Sequence, residues 1–179
     1  MKLLAISGSA RAASTNTALL QALAEVSPAD VTIDIIHNLQ NLPVFSPDLE
    51  GSHTPSTVRD FIAAIDLADG IIICSPEYVR AIPGGLKNAI DWLVSGEAII
   101  DKPVAIIHAS HRGDDMLASL RLVLGTVTSM FHEQIFQRFS LISKSPEEVR
   151  AHLGSEENQD RLRAFIDEFT DAISKPFGL

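Results

Sequence analysis

Cysteine occurs only once in this chain, at Cys74, so neither an intramolecular disulfide nor a cysteine-based metal cluster can form. The thiol ends an apolar run, where a small buried hydrophobe is the expected role. No stretch approaches the roughly 20 apolar residues that a membrane-spanning helix needs. The apolar start of the chain also stops at Ser7, too early for a secretory signal. We therefore expect a cytoplasmic protein that does not associate with membranes.

Positive charge is scarce, because 14 lysines and arginines stand against 23 aspartates and glutamates, for a net charge of −9. Such a surface repels nucleic acid backbones and anionic membranes, so we expect neither as a partner. Any anion site must be local, built from a loop and one arginine. Hydrophobic residues make up 46% of the 179 residues, which is enough to form the core of one domain spanning residues 1–179.

Short apolar runs alternate with helical periodicity along the whole chain. The runs are typical of buried parallel strands, and the segments between them have apolar residues at helical spacing. The predicted strands are residues 3–6, 31–36, 70–74, 103–109 and 135–142. Five such alternations predict an α/β protein, a flavodoxin-like three-layer sandwich around a five-stranded parallel sheet in the order 2-1-3-4-5.

A segment without a clear period, residues 37–54, follows the second predicted strand. A loop of this length inside a compact domain is usually functional or interfacial. Trp92 lies on the flank of its predicted helix opposite the apolar stripe, and we expect it to meet a neighbouring subunit. Asp114 or Asp115 is expected to cap the fourth helix, and Ser155 the last one.

The loop after the first strand, residues 8–16, is rich in hydroxyl groups and also carries Arg11 and Asn16. It leads into a helix, whose free backbone N–H groups and dipole favour a phosphate. The signature G-x-x-x-x-G-K-S/T is missing, which argues against a nucleoside triphosphatase, and G-x-G-x-x-G is missing, which argues against a dinucleotide-binding fold. The simpler interpretation is that Ser14 or Thr15 only caps the helix, although capping and phosphate binding use the same geometry.

The loop after the third strand begins with Pro76, Glu77 and Tyr78 and is closed by Pro83. Tyr78 offers a flat apolar face with a polar tip, which suits a ring system. The alternative is a rigid turn in which the tyrosine is simply packed. Because the first and third strands are neighbours at the switch point of the predicted sheet, we expect the two loops to hold two ends of one ligand.

Two motifs carry a family resemblance: G-S-x-R-x-x-S-x-N at residues 8–16 and P-E-Y-x-x-x-I-P-G-x-L-K-N-A-I-D-W at residues 76–92. The pair resembles the NAD(P)H-dependent FMN reductases, a flavodoxin-like family that includes quinone, azo-dye and chromate reductases. The resemblance implies that FMN is bound with its phosphate in the first loop and its isoalloxazine ring on the second, while residues 110–113 close the other ring edge. The cofactor-binding residues it implies are Ser9, Arg11, Ser14, Thr15, Asn16, Pro76, Glu77, Tyr78, Val79, Arg80, Ser110, His111 and Gly113.

Two residues of the second motif depart from the family pattern. Val79 stands where many members have asparagine, and Arg80 where a small residue is common. Arg80 is expected either to meet an anionic substrate or a pyridine nucleotide, or to be a solvated surface residue. In the loop after the fourth strand, His111 and Arg112 stand where family members commonly have small residues. Their larger side chains affect how open the substrate side of the proposed flavin site is.

The resemblance implies an FMN-dependent oxidoreductase that takes electrons from NADPH or NADH. It would pass them through FMN to a second acceptor, such as a quinone, an azo compound, a metal oxyanion or free flavin. The cofactor carries this chemistry, so we name no catalytic side chain and no metal site. A homodimer or homotetramer is implied in the same way. Two alternatives remain open: a flavodoxin-like electron carrier, and a flavin-free regulatory domain of the same fold.

Overall fold

The computed structural model describes residues 1–175, so residues 176–179 of the predicted domain lie outside the described residues. Within this range a parallel sheet has the strand order β2-β1-β3-β4-β5, as predicted. Its strands are β1 (Lys2–Ser7), β2 (Thr32–Ile36), β3 (Gly70–Cys74), β4 (Val104–His108) and β5 (Phe131–Arg138). The helices that connect them are α1 (Thr15–Glu25), α2 (Ser56–Leu67), α3 (Gly84–Asp91), α4 (Asp114–Val127), α5 (Pro146–Leu153) and α6 (Glu156–Ser174).

Helices cover both faces of the sheet, because side chains alternate between two apolar layers along each strand. Leu3 and Ala5 of β1 pack in one layer with leucines of α1 and phenylalanines of α6. Leu4 and Ile6 belong to the opposite layer, which also contains residues of α2, α3 and α4. The central strands β3 and β4 are buried along their full length, as parallel strands covered on both faces must be. The predicted three-layer sandwich is confirmed.

The fifth strand lies four residues earlier in the chain than predicted. It begins at Phe131 rather than at Ile135 and ends at Arg138 rather than at Ile142. β5 is an edge strand, and most of its residues are partly or fully exposed. It therefore lacks the continuous apolar run by which buried strands are found in a sequence, and its pairing with β4 is interrupted by a register shift.

The short helix α5 is an element that the sequence analysis missed. Ser145 Oγ accepts a hydrogen bond from Glu148 N at 3.2 Å, and Glu148 Oε2 accepts one from Ser145 N at 2.7 Å. Pro146 stands at the first helical position, where its missing N–H costs nothing. The sequence did contain this signal, because S-x-x-E is the capping box that starts many helices.

The segment at residues 37–54 forms three short 3-10 turns and is held against α3. Asn88 Nδ2 donates to the Pro43 carbonyl at 3.0 Å, and Asn88 Oδ1 accepts from Phe45 N at 2.8 Å. Trp92 Nε1 donates to the same Pro43 carbonyl at 2.8 Å, and its indole meets the Phe45 ring edge-on. Trp92 is only 3% exposed. The expectation that it meets a neighbouring subunit is therefore wrong, because its partners belong to its own chain.

Replacing Asn88 with alanine is expected to lower the free energy of unfolding by about 1–3 kcal/mol, because Phe45 N loses its acceptor and the Pro43 carbonyl keeps only the donor from Trp92. Urea denaturation followed by circular dichroism measures this change. Asn41→Ala is the matched control, since Asn41 is an exposed asparagine of the same segment. Equal losses in the two variants would show that Asn88 does not hold the segment.

Candidate functional site

Three loops leave the carboxyl edge of the sheet side by side, because their strands are neighbours. β3 lies between β1 and β4, and Ser7 near the end of β1 is opposite Cys74 at the end of β3. We define loop 1 as residues 8–14, loop 2 as residues 75–83 and loop 3 as residues 109–113. The winding of the sheet reverses beside β1, and the crevice at such a point is where doubly wound sheets bind ligands.

Loops 1 and 2 are in direct contact at Gly8. Its backbone N–H donates to the Cys74 carbonyl at 2.8 Å. A Cβ atom added to Gly8 would lie 2.5 Å from Ser75 Oγ and 3.0 Å from Leu86 Cδ2. It would also lie 2.9 Å from Ser75 Cβ, which a rotation of the serine side chain does not move. Glycine therefore allows the two loops to approach this closely, and a larger residue would force a shift.

The side chains at the start of α1 are bonded within the protein. Ser14 Oγ accepts from the backbone N–H groups of Asn16 and Thr17 at 3.2 and 3.3 Å, so the predicted capping role is confirmed for Ser14. Asn16 is buried, and its Oδ1 accepts from the Cys74 thiol at 3.3 Å. Thr17 Oγ1 donates to Ser7 Oγ at 2.9 Å. These contacts fix the end of loop 1 to β1 and β3.

The donors that loop 1 leaves open are backbone N–H groups and one guanidinium. Within the part of the chain that the structure describes, the backbone N–H groups of residues 12–15 donate to no protein acceptor. Arg11 is exposed, and its backbone N–H donates to Ser9 Oγ at 3.3 Å. Free N–H groups at a helix start, with a guanidinium beside them, are the donors that a phosphate dianion accepts from. The loop therefore fits a phosphate group.

Loop 2 contains a tight two-residue hairpin. Tyr78 and Ala81 pair through backbone hydrogen bonds of 3.2 and 3.0 Å. Between them, Val79 and Arg80 have φ angles of 52° and 59°, the left-handed conformation that both central residues of a type I′ turn require. Asparagine and glycine adopt it readily, whereas a β-branched valine is strained there by about 1–3 kcal/mol. Val79 is 99% exposed, so no packing within the chain relieves this strain.

Loop 2 is bonded to the start of α4. Glu77 Oε2 accepts from Met116 N at 3.0 Å, and Arg80 Nε donates to Asp115 Oδ2 at 2.6 Å. Gly113 is the N-cap of α4 and has a φ of 101°. The prediction that one of the next two aspartates caps this helix is therefore wrong, because the carboxylate of Glu77 supplies the acceptor from loop 2. The sequence left open whether Arg80 meets a ligand or is a solvated surface residue. In the structure its side chain is paired with Asp115.

Loop 3 is held in one shape by its own residues and by β5. Ser110 Oγ accepts from Arg112 N at 2.9 Å, and His108 Nε2 lies 2.6 Å from the Arg112 carbonyl oxygen. Arg138 Nη1 donates to the His111 carbonyl at 3.3 Å. The backbone of loop 3 is thus positioned beside loop 2, with the His111 side chain exposed.

His108 is a buried residue that the sequence analysis did not place in the site. It is 1% exposed. A carbonyl oxygen can only accept, so His108 Nε2 carries the hydrogen that is donated to Arg112, and Nδ1 is the bare nitrogen. Among the described residues, Nδ1 is buried without a partner. Burial lowers the pKa of His108, so the folded protein keeps the imidazole neutral. The only sequence feature that points to His108 is its position as a polar residue at the end of the apolar run of the fourth strand.

Cys74 is at the base of the site but is not a reactive group. Burial raises the pKa of its thiol far above the usual value, so the thiol stays protonated and is a poor nucleophile. Among residues 1–175 there is no group of three histidine, cysteine or acidic side chains arranged to hold a metal ion. In the same range, no helix combines the length and the apolar character needed to cross a bilayer.

The structure brings the predicted site residues to one edge of the sheet, but their side chains differ in what they can offer a ligand. Several are already used to build the loops: Ser14, Asn16, Glu77 and Arg80. The backbone N–H groups of residues 12–15, the exposed Arg11 and the half-exposed Tyr78 are open. Further residues of this edge are Ser7, Thr17, His108 and Met116, which position the loops.

The family model of the NADPH-dependent FMN reductases matches residues 1–136 of this chain. A 2-hydroxy-1,4-benzoquinone reductase of a Burkholderia species is 40% identical over 113 residues, which are 62% of this chain and 61% of that protein. A quinone reductase of Escherichia coli K12 is 33% identical over 109 residues, or 59% of this chain and 58% of that protein. The chain thus spans about three fifths of the length of these relatives.

A solved structure resembles this fold over nearly the whole length of both chains. FerB, a flavoenzyme NAD(P)H:(acceptor) oxidoreductase from Paracoccus denitrificans, superimposes with a TM-score of 0.78 and 26% sequence identity. The match covers 96% of each chain. The sheet order and the loops at its carboxyl edge therefore belong to an arrangement that is already known among flavoenzymes.

The free energy of unfolding is expected to decrease as the pH falls below about 6.5, the ordinary pKa of histidine. Burial lowers the pKa of His108 and also that of His132, so the unfolded chain takes up protons that the folded chain resists. Urea denaturation at a series of pH values from about 8 to about 5 measures this dependence.

His108→Gln is expected to reduce this acid-dependent loss of stability, because a glutamine amide can still donate to the Arg112 carbonyl but does not titrate. His53→Gln is the matched control, since it removes an exposed imidazole. If His108→Gln and the control show the same pH dependence as the unaltered chain, His108 is not the group responsible.

Proposed function

The chain belongs to the NADPH-dependent FMN reductase family, and from that premise we propose that it is an FMN-dependent oxidoreductase. In this proposal it takes electrons from NADPH or NADH and passes them through bound FMN to a small-molecule acceptor. The single observation that carries the proposal is the row of unbonded N–H groups at the start of α1, next to an exposed arginine. These donors lie at the same sheet edge as the half-exposed Tyr78, on loops that follow neighbouring strands, where doubly wound sheets bind ligands.

The phosphate of FMN is proposed to accept hydrogen bonds from the backbone N–H groups of residues 12–15 and from Arg11. The positive end of the α1 dipole adds to this attraction. Ser9, Ser14, Thr15 and Asn16 are the remaining members of the proposed phosphate site. Because Ser14 and Asn16 are bonded inside the protein, their contribution is to fix the backbone that holds the phosphate.

The isoalloxazine ring is proposed to lie along loop 2 and to be closed by loop 3. Tyr78 is 44% exposed, and its side chain has a flat apolar face that suits a ring system. Pro76, Glu77, Val79 and Arg80 shape the backbone of loop 2, and Ser110, His111 and Gly113 do the same for loop 3. When bound, FMN supplies the ring that accepts hydride and gives up electrons. The chain supplies positioning, and we propose no acid, base or nucleophile among its side chains.

A quinone is the acceptor class that we propose first. The Burkholderia and Escherichia coli relatives are named as quinone reductases, and FerB is named as an oxidoreductase for an unspecified acceptor. Azo compounds, metal oxyanions and free flavin are further candidates from the family resemblance. We also propose that the protein works in the cytoplasm as a homodimer or homotetramer; the oligomeric part rests on the family resemblance alone.

Turnover separates this function from its two alternatives. The purified chain, incubated with FMN and desalted, is expected to stay yellow and to consume NADPH steadily when a benzoquinone is present. Steady consumption is expected because each reduced flavin is reoxidised by the quinone and can accept hydride again. Retained colour with a single bleaching and no steady consumption would instead identify an electron carrier. A colourless protein would identify a flavin-free domain.

Arg11→Ala is expected to weaken FMN binding about tenfold to a hundredfold, because a hydrogen bond to a charged group is worth about 1.5–3 kcal/mol. Riboflavin has no phosphate, so its affinity is expected to change little. Fluorescence titration of both flavins measures the two effects. Arg59→Ala, an exposed arginine on α2 at the opposite face of the sheet, is the control. Equal losses for FMN and riboflavin would show that Arg11 does not touch the phosphate.

A further inference from the structure

A groove runs along the outside of α1, next to the proposed phosphate site. One wall is formed by loop 1 and α1 from Arg11 to Val26, and the other by residues 142–154 with α5. Its volume is about 630 Å³, within the range of roughly 300–1,000 Å³ that is usual for small-molecule sites. None of the proposed contacts to the isoalloxazine ring lies in it, so the groove is distinct from the proposed ring site.

The groove is locally positive in a chain whose net charge is −9. Arg11, Lys144 and Arg150 line it, and Glu25 is the one carboxylate among its lining residues. Within residues 1–175, neither Arg11 nor Lys144 forms an ion pair. Arg150 is 3.3 Å from Glu147, and both side chains are largely exposed, so solvent screens that pair. These three cations favour an anionic ligand.

The nearby carboxylate of Glu148 is engaged in a helix cap. Glu148 lies in the first turn of α5, and its carboxylate accepts from Ser145 N in the capping box. The hydrogen bonds with Ser145 lower the pKa of Glu148, and the charge of Lys144 lowers it further. Lys144 lies near this carboxylate without forming an ion pair with it, and lines the edge of the groove.

Between the cations, the floor of the groove is apolar, and two amides line it. Val149 and Leu153 of α5 are each 3% exposed, and Ala18 and Ala22 of α1 pack against the same core layer. Gln21 and Gln159 also line the groove, and each side-chain amide can donate and accept. An apolar floor with a few hydrogen-bonding groups suits a nitrogen heterocycle such as a purine.

The groove is continuous with the proposed phosphate site, because residues 11–15 belong to both. FMN ends at its phosphate, whereas FAD continues from that position into a second phosphate and an adenosine. We infer that the chain also binds FAD, with the adenosine monophosphate half lying in the groove between α1 and α5. The second phosphate meets Lys144 and Arg150, and the adenine lies on the apolar floor of the groove. This inference rests on the proposed function, since it places the first phosphate at loop 1.

Titration of the flavin-free chain with FMN and with FAD, followed by flavin fluorescence, tests this assignment. FAD is expected to bind at least as tightly as FMN. Lys144→Gln and Arg150→Gln are each expected to raise the Kd for FAD about tenfold relative to that for FMN, because each loses a charge-assisted contact with the second phosphate. Lys175→Gln is the matched control, since Lys175 forms an exposed ion pair with Asp171 four residues earlier and does not line the groove, whereas Arg150 pairs with Glu147 three residues earlier. It is expected to leave the ratio unchanged.

The outcomes distinguish this inference from the proposed function. If FMN binds and FAD binds more weakly, or if the ratio of the two Kd values is the same in all variants, the groove does not hold the adenosine half. If the variants raise the KM for NADPH without altering that ratio, the groove serves the pyridine nucleotide and the assignment to FAD is wrong. If neither flavin binds, the proposed function fails and the inference fails with it. Circular dichroism of each variant verifies folding. If one of the two variants does not fold, the other still tests the contact with the second phosphate.

Discussion

The close approach of Gly8 to Ser75 is the constraint on which the rest of the site depends. A Cβ atom at this position would lie 2.5 Å from Ser75 Oγ, and loop 1 would have to move away from loop 2. The hydrogen bond from Gly8 N to the Cys74 carbonyl extends the pairing of β1 with β3 by one step beyond the sheet. Loop 2 in turn is bonded to the start of α4 through Glu77. One missing side chain thus sets the spacing of three loops.

The polar side chains at the carboxyl edge of the sheet serve mainly to hold the backbone of the loops in place. The oxygens of Ser14 and Asn16 are taken by a helix cap and a thiol, and His108 holds the carbonyl of Arg112. A fixed backbone presents N–H groups at constant positions, and donors that need no rearrangement lose little entropy when a ligand binds. In the proposed phosphate site, the serines and the asparagine of the motif would thus act through the backbone that they fix, because their side chains are bonded to protein partners.

The sequence located the strands that are buried on both faces and also the edge strand β2, but it misplaced the edge strand β5 and did not yield α5. β3 and β4 are continuous apolar runs, and the loops that follow the central strands were located from the ends of these runs. β5 was misplaced because an edge strand with exposed residues such as Glu133 and Gln134 has little periodicity. The start of α5 has a recognisable signal in the sequence, the capping box formed by Ser145 and Glu148, but the sequence analysis did not predict the helix. Contacts such as Glu77 with Met116, or Asn88 with Pro43, join residues some 40 positions apart, and no local pattern encodes such pairs.

The hairpin at Val79 and Arg80 has a consequence for how the protein can be modified. Its backbone is held by the pairing of Tyr78 with Ala81, while the Val79 side chain projects wholly into solvent and supports nothing. Exposed loop tips of this kind tolerate changes that the framework does not. A probe or a short peptide attached at residue 79 would therefore sit at the rim of the crevice without entering the core. The turn is a ready anchoring point for a reporter that senses occupancy.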